Sequence, residues 1–251
     1  MRVLLTNDDG IEADGLLALH KSVQHCFRGD VEIMVVAPDR GRSECGHSVT
    51  TNRPLEIEQV RPGWLAVDGT PVDCVRAAFG TLQQNFDFVL SGVNAGANLG
   101  VDLLVSGTFA AAREAAMHGI PAMAISHYRH PEIPRTWDHV PVWVADILQD
   151  FREKVEVRKA CSEDDATNML WNVNLPAILP ETNAPPTVRC GVDAKPMIRQ
   201  SLLEGKSLRF TSDFHGRPRE PGSDVDRCFN GNLTISEFTQ PFSLLQAAKE
   251  G

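Results

Sequence analysis

Apolar residues run through the first two-thirds of the chain in short blocks, each ended by turn chemistry, and the blocks alternate between two spacings. Residues 3–6 form an apolar run that stops at Asn7-Asp8-Asp9-Gly10. Residues 13–27 place Leu16, Leu19 and Val23 at helical spacing. Residues 31–37 are apolar apart from Glu32 and end at Pro38, the pattern of a buried parallel strand. Residues 55–60 and 64–67 flank Arg61-Pro62-Gly63 and predict a hairpin. A helix follows over 71–82 with Pro71 near its start, then a strand over 86–90. A helix over 109–118 is stopped by Gly119 and Pro121. The remaining pattern predicts a strand over 122–126, an amphipathic helix over 140–155 and a strand over 169–174. This rhythm predicts an α/β core over residues 1–176, with a doubly wound, mostly parallel sheet. Beyond residue 176 the apolar stretches shorten, while Pro, Gly and polar residues increase. Residues 177–251 therefore read as a less regular C-terminal extension containing hairpins, suited to packing on a second subunit.

In such folds ligands sit at the carboxyl ends of the strands, where strand order reverses. Four polar clusters fall there: residues 7–10, 39–48 and 91–98, and the pair Asn172 and Asn174. Asp8 and Asp9 are adjacent carboxylates, which repel unless a cation or a shared proton holds them together. Two hard oxygen donors suit Mg²⁺ or Mn²⁺. Taken alone, Asp-Asp-Gly is ordinary turn and helix-cap chemistry. The loop Pro38-Asp39-Arg40-Gly41-Arg42-Ser43 offers two cations and a hydroxyl that suits a metal or a phosphate; alone it reads as an exposed loop. The most informative segment, 91–100, carries Asn94, Gly96 and Asn98. Glycine-rich loops of this kind form anion-binding nests, and asparagine supplies both amide donors and a carbonyl ligand. The chain then reaches Ser106-Gly107-Thr108 at a helix start, a ready phosphate site whose plainer reading is helix capping. Thr70-Pro71 reads as a cap. His127 and His130 read as solvated loop residues, and His47, nearest the arginine loop, is left unassigned.

Composition narrows the classes. Hydrophobic residues make up 42% and charged residues 23%, an ordinary globular balance. The net charge of −9, with no basic stripe, argues against long nucleic acid as a partner. A small phosphate ester stays compatible, because a bound cation reverses the local field. No apolar run has the length to span a bilayer, and Arg2 is followed by a strand-like run rather than a secretory core, so a cytoplasmic protein with no membrane partner is expected. The six scattered cysteines, with no C-x-x-C pair, argue for reduced thiols and against structural zinc. No G-x-G-x-x-G opens the first helix and no Walker motif occurs, which excludes the common dinucleotide and P-loop sites. Adjacent aspartates followed by Gly-Ile also differ from the D-x-D-x-[TV] of haloacid-dehalogenase-type phosphatases.

Together, V-L-L-T-N-D-D-G-I, A-P-D-R-x-R-S, G-T-P-V-D-C-V, S-G-V-N-A-G-A-N-L-G-x-D, S-G-T, G-I-P-A-M-A-I-S and N-V-N-L-P resemble the survival protein E (SurE) family of 5′/3′-nucleotidases, in family order over roughly residues 1–176. The resemblance implies a Rossmann-like core whose C-terminal extension takes part in subunit exchange, as a homodimer or homotetramer. It implies one divalent ion, Mg²⁺ or Mn²⁺, held by Asp8, Asp9, Ser43 and Asn94, with Asn94, Gly96, Asn98, Ser106, Gly107 and Thr108 on the phosphate. Asp8 and Asp9 would be the catalytic pair, one of them also moving a proton. The implied substrates are nucleoside monophosphates, with short polyphosphate in some members. Three positions depart from the family pattern: Glu44 replaces the usual Gly after the loop serine, Val105 an aromatic, and Ala115 a Gly. Glu44 keeps a second expectation alive, a non-catalytic nucleotide or phosphate binder.

Overall fold

The computed structural model describes residues 1–80, 85–161, 169–180 and 183–238. The last two residues of the helix expected over 71–82, and positions 181–182 and 239–251 of the extension, lie outside the described residues.

The core alternates β1 (Arg2–Thr6), α1 (Asp14–Cys26), β2 (Glu32–Pro38), the hairpin β3 (Ile57–Arg61) and β4 (Trp64–Val67), α2 (Pro71–Gly80) and β5 (Phe88–Asn94). A 3-10 helix (Gly100–Val105) leads into α3 (Gly107–Met117), β6 (Ala122–His127), α4 (Val140–Trp143), α5 (Ala145–Cys161) and β7 (Leu170–Leu175). The extension supplies β8 (Thr187–Arg189), β9 (Arg199–Glu204), β10 (Ser207–Ser212), α6 (Asp224–Phe229) and β11 (Leu233–Phe238).

Nine strands form one sheet in the order β3-β4-β2-β1-β5-β6-β7-β11-β8. The run from β4 to β7 is parallel throughout. This is the α/β architecture expected. The hairpin β3–β4 is antiparallel, as its turn chemistry predicts. The extension's own hairpin, β9–β10, is a separate two-stranded sheet.

Three expectations need adjustment. The strand placed at 86–90 runs on through Ser91, Gly92 and Val93 to Asn94. These small residues fit because Ser91 pairs with Thr6 on one side and Ala124 on the other, all fully buried. The helix over 140–155 is two consecutive helices broken at Val144, the second reaching Cys161. The extension also contributes to the main sheet: β11 lies antiparallel to β7, pairing Ile235 with Val173, and β8 lies parallel to β11.

Side-chain alternation along the strands builds two cores. Val3, Leu5, Val35, Phe88 and Leu90 pack with α1, α4 and α5 on one face. Leu4, Val36 and Val89 pack with α2 and α3 on the other. Both faces of β1 are therefore dry, which fixes the height of Asp8 and Asp9 at its tip. The chain leaves β1 for β2 on one side and later returns to β5 on the other. The switch point thus lies between β1 and β5, where a crevice opens at the carboxyl ends.

Candidate active site

The turn after β1 is knotted by Asn7, which is fully buried. Its amide nitrogen donates to the Gly10 carbonyl at 2.8 Å, and its carbonyl accepts from the Gly10 N–H at 3.2 Å. Gly10 has φ +106°, and a Cβ there would stand 2.9 Å from the Arg40 carbonyl carbon. Only glycine suits both conditions.

Asp8 is 4% exposed. Thr108 Oγ1 donates to its Oδ1 at 2.5 Å, and the Thr108 N–H, at the start of α3, also donates to it. Gly107 leaves no room for a side chain, because a Cβ would lie 3.0 Å from Asp8 Cβ and Oδ2. Burial pushes the Asp8 pKa up to about 6; the Thr108 hydroxyl lowers it and the Asp9 charge raises it. The arginine loop docks on the same turn, its Arg42 N–H donating to the Asp8 carbonyl at 2.7 Å. Asp9 is held from the other side by the Ala95 N–H, which donates to Oδ2 at 3.0 Å.

Residues from three segments, the arginine loop, the end of β5 and the start of α3, therefore meet around the aspartate pair. Asn94 ends β5, and its amide nitrogen donates to the Gly96 carbonyl at 2.8 Å, while its Oδ1 meets no hydrogen-bond donor among the described residues. Asn98 is clamped. Its N–H donates to Asn174 Oδ1 at 2.9 Å and its side chain to Ser126 Oγ at 2.7 Å. Its carbonyl accepts from Asn172 and Asn174 at 2.9 and 3.0 Å. The asparagines at the end of β7 thus fix the glycine-rich loop. Ser106 caps α3, its Oγ accepting from the Phe109 N–H at 3.1 Å. Ser43 is exposed on the arginine loop, one residue from the Arg42 contact.

The α3 N-terminus does something the sequence did not suggest: it grips Asp8. The signal was present as Thr108 at the second helical position, but a hydroxyl there reads equally as a phosphate ligand. Also unforeseen is a clasp behind the arginine loop. His47 is hydrogen-bonded through Nε2 to Glu114 at 2.8 Å, and its Nδ1 accepts from Arg113. Arg76 Nε donates to Glu114 at 2.5 Å. Burial of Glu114 would raise its pKa, but the bonds from Arg76 and His47 overcome this and hold it below the usual range. Thr70 is structural: it exchanges capping bonds with Asp73 and donates to the Ser48 carbonyl.

His127 corrects an expectation, since it is 2% exposed rather than solvated. Its Nδ1 is bonded to the Tyr128 carbonyl at 2.8 Å and its Nε2 to His139 Nε2 at 2.8 Å. The strand continues through it, so it is a core residue of β6. Burial, then the Arg129 charge, push its pKa down to about 3, and the same two causes bring His139 to about 4. Both are neutral near pH 7. The unfolded chain takes up protons on these rings below the ordinary histidine pKa of about 6.5, while the folded chain does not. Their contribution to stability is therefore complete above that value and is lost as pH falls toward their folded pKa values. At pH 5 His127 alone accounts for about 2 kcal/mol, roughly 4–8 °C of melting temperature. His127→Gln should flatten the melting profile between pH 7 and pH 5, read by circular dichroism. An unchanged slope would rule this role out.

Among the described residues no three His, Cys, Asp or Glu side chains gather as a metal cluster. The aspartate pair instead offers a mixed oxygen set, with an asparagine carbonyl and a serine hydroxyl on the loops around it. No helix among the described residues is long and apolar enough to cross a membrane.

A family model described as survival protein SurE matches residues 3–198. A Nostoc sp. protein is 40% identical over 237 residues, covering 94% of this chain and 99% of its own length. A protein from Paramagnetospirillum magneticum named 5′-nucleotidase SurE is 33% identical over 245 residues, covering 94% and 88%. The crystal structure of a SurE protein from Aquifex aeolicus superposes with a TM-score of 0.77 at 28% identity, covering 99% of this chain and 97% of that one.

Proposed function

The chain belongs to the SurE family, and from that premise we propose that it is a divalent-metal-dependent phosphomonoesterase that hydrolyses nucleoside 5′- and 3′-monophosphates to nucleoside and phosphate. One observation carries this reading: the arginine loop, the end of β5 and the start of α3 all touch the Asp8–Asp9 turn at the β1/β5 switch point. The donor chemistry fits a hard cation. Asp8 has one oxygen on Thr108 and Asp9 one on Ala95, so each keeps another oxygen for a ligand, and Asn94 turns its carbonyl end free. Asp8, Asp9, Asn94 and Ser43 would hold one Mg²⁺ or Mn²⁺. When bound, the ion supplies charge neutralisation and acidifies water.

The chain's own groups do the rest. Thr108 and the α3 N-terminus orient Asp8 and keep it dry. Asp9 is the more accessible carboxylate and would take the proton of the attacking water. Gly96, Asn98 and the Ser106–Thr108 turn would contact the phosphoryl oxygens, where hydrogen-bond donors stabilise developing charge. Asn172 and Asn174 keep that loop from drifting. Short polyphosphate fits the same donors. Residues 1–176 form the catalytic unit, and 177–251 make subunit contacts in a homodimer or homotetramer. The β9–β10 hairpin supports this, because Leu202, Leu203, Leu208 and Phe210 on it are each more than half exposed.

The test is phosphate release from a panel of 5′- and 3′-nucleoside monophosphates with Mg²⁺, with Mn²⁺ and with chelator. Release should need the metal, vanish with chelator and return on adding excess metal. Nucleotide binding without release under any metal, with turnover gained in Glu44→Gly, would favour the non-catalytic reading instead.

A further inference from the structure

A cavity of about 360 Å³ opens beside the site, and its lining includes Asp9 and Ala95 together with Arg129, Arg135 and Trp137. The two arginines come from the segment joining β6 to α4. Arg129 is held flat, its guanidinium 4.1 Å from the centre of the Trp137 ring and its Nη1 donating to the Thr136 carbonyl at 3.2 Å. Its Nε and Nη2 are buried with no acceptor among the described residues. Burial, then the nearby Arg135 charge, bring its pKa down only to about 10, so it stays a cation. Arg135 is exposed. The structure records no ion pair for either arginine among the described residues.

Two like charges kept close, one of them with buried donors left unmatched, cost stability unless an anion joins them. The other groups facing the cavity do not fill that role. Asp9 is engaged with Ala95 and the proposed cation, Asp14 is exposed at the start of α1, and His127 and His139 behind Arg129 are neutral. Trp137 has one face under the guanidinium and its edge against Gly15, so this wall offers charge rather than a stacking surface for a base.

We propose that Arg129 and Arg135 form an anion subsite for a second phosphate on the substrate's sugar, making nucleoside 3′,5′-bisphosphates preferred substrates of this chain. This rests on the phosphomonoesterase reading above. One phosphate would sit at the aspartate turn and be released as inorganic phosphate by water. The other would lie across the cavity on the guanidinium pair, which matches phosphate bidentately.

The experiment compares kcat/KM for adenosine 3′,5′-bisphosphate and adenosine 5′-monophosphate in the wild type, Arg135→Gln and Arg129→Gln. The ratio should be roughly tenfold in favour of the bisphosphate in the wild type and fall to about one in both variants, one charge-assisted contact being worth about that factor. Arg135 is exposed, so its variant stays informative should Arg129→Gln misfold. A ratio that is the same in the wild type and Arg135→Gln overturns the subsite. A loss seen with tripolyphosphate but not with the bisphosphate assigns the arginines to linear phosphate chains and overturns the nucleotide assignment. If neither nucleotide is hydrolysed, the phosphatase reading fails, and calorimetric binding of the bisphosphate decides the subsite. Binding about tenfold weaker in Arg135→Gln supports it, and equal binding refutes it.

Discussion

Asp9→Asn should lower kcat for nucleoside monophosphates by about 10²–10³-fold while leaving the fold intact. The amide has the same shape, and its oxygen can still accept from the Ala95 N–H, so the turn keeps its geometry. What is lost is one negative charge at the proposed cation site and the proton acceptor for water. Glu12→Gln makes the same charge change three residues away on an exposed side chain with no place in the site. It should retain activity within about twofold, because exposed charges are well screened. Comparable losses in both variants would mean that the effect is long-range electrostatics rather than ligation. The steady-state rate of phosphate release separates the two.

The second large effect is structural and acts through the site. Gly15→Ala should lower the melting temperature by roughly 5–15 °C and reduce activity with it. Within a helix, alanine is better than glycine by about 1 kcal/mol, so propensity alone predicts stabilisation. Here a Cβ would stand 1.9 Å from the Val93 carbonyl oxygen and 2.9 Å from the Trp137 ring. Backbone cannot yield as a side chain tip does, and overpacking of this kind costs about 3 kcal/mol or more. The clash outweighs the propensity. The chain must move α1 away from β5, and Val93 directly precedes Asn94. A melting temperature equal to or above that of the wild type would show that α1 is not packed as described.

The legible part of the fold was the part written in local pattern. Val3–Leu5, Val35–Ala37 and Val89–Leu90 are buried on both faces of the sheet and show it as unbroken apolar runs. Leu16, Leu19 and Val23 show the buried stripe of α1. The tail was harder for a physical reason. β11 pairs with β7 across a long separation in sequence, and its Leu233, Thr234, Ile235 and Ser236 are all buried although two are polar, so no unbroken apolar run marks it as a strand of the main sheet. The polar clusters at strand ends were also readable, since loops there must carry turn residues and ligands alike. Contacts between them were not. Thr108 on Asp8 spans 100 positions and Ala95 on Asp9 spans 86. Nothing local distinguishes such a threonine from an ordinary helix cap. Arg129 and Arg135 were passed over for the same reason: two arginines in a polar connection look solvated until the fold sets one against Trp137 and both beside Asp9.

Direct titration of Mn²⁺ into the metal-free protein, followed by electron paramagnetic resonance of the free ion, tests the account most directly. The wild type should take up one ion per chain, and Asp8→Asn and Asp9→Asn should each weaken that uptake by at least about tenfold. Uptake of the ion at equal strength by the wild type and both variants would place the cation elsewhere and contradict the assignment of the aspartate pair.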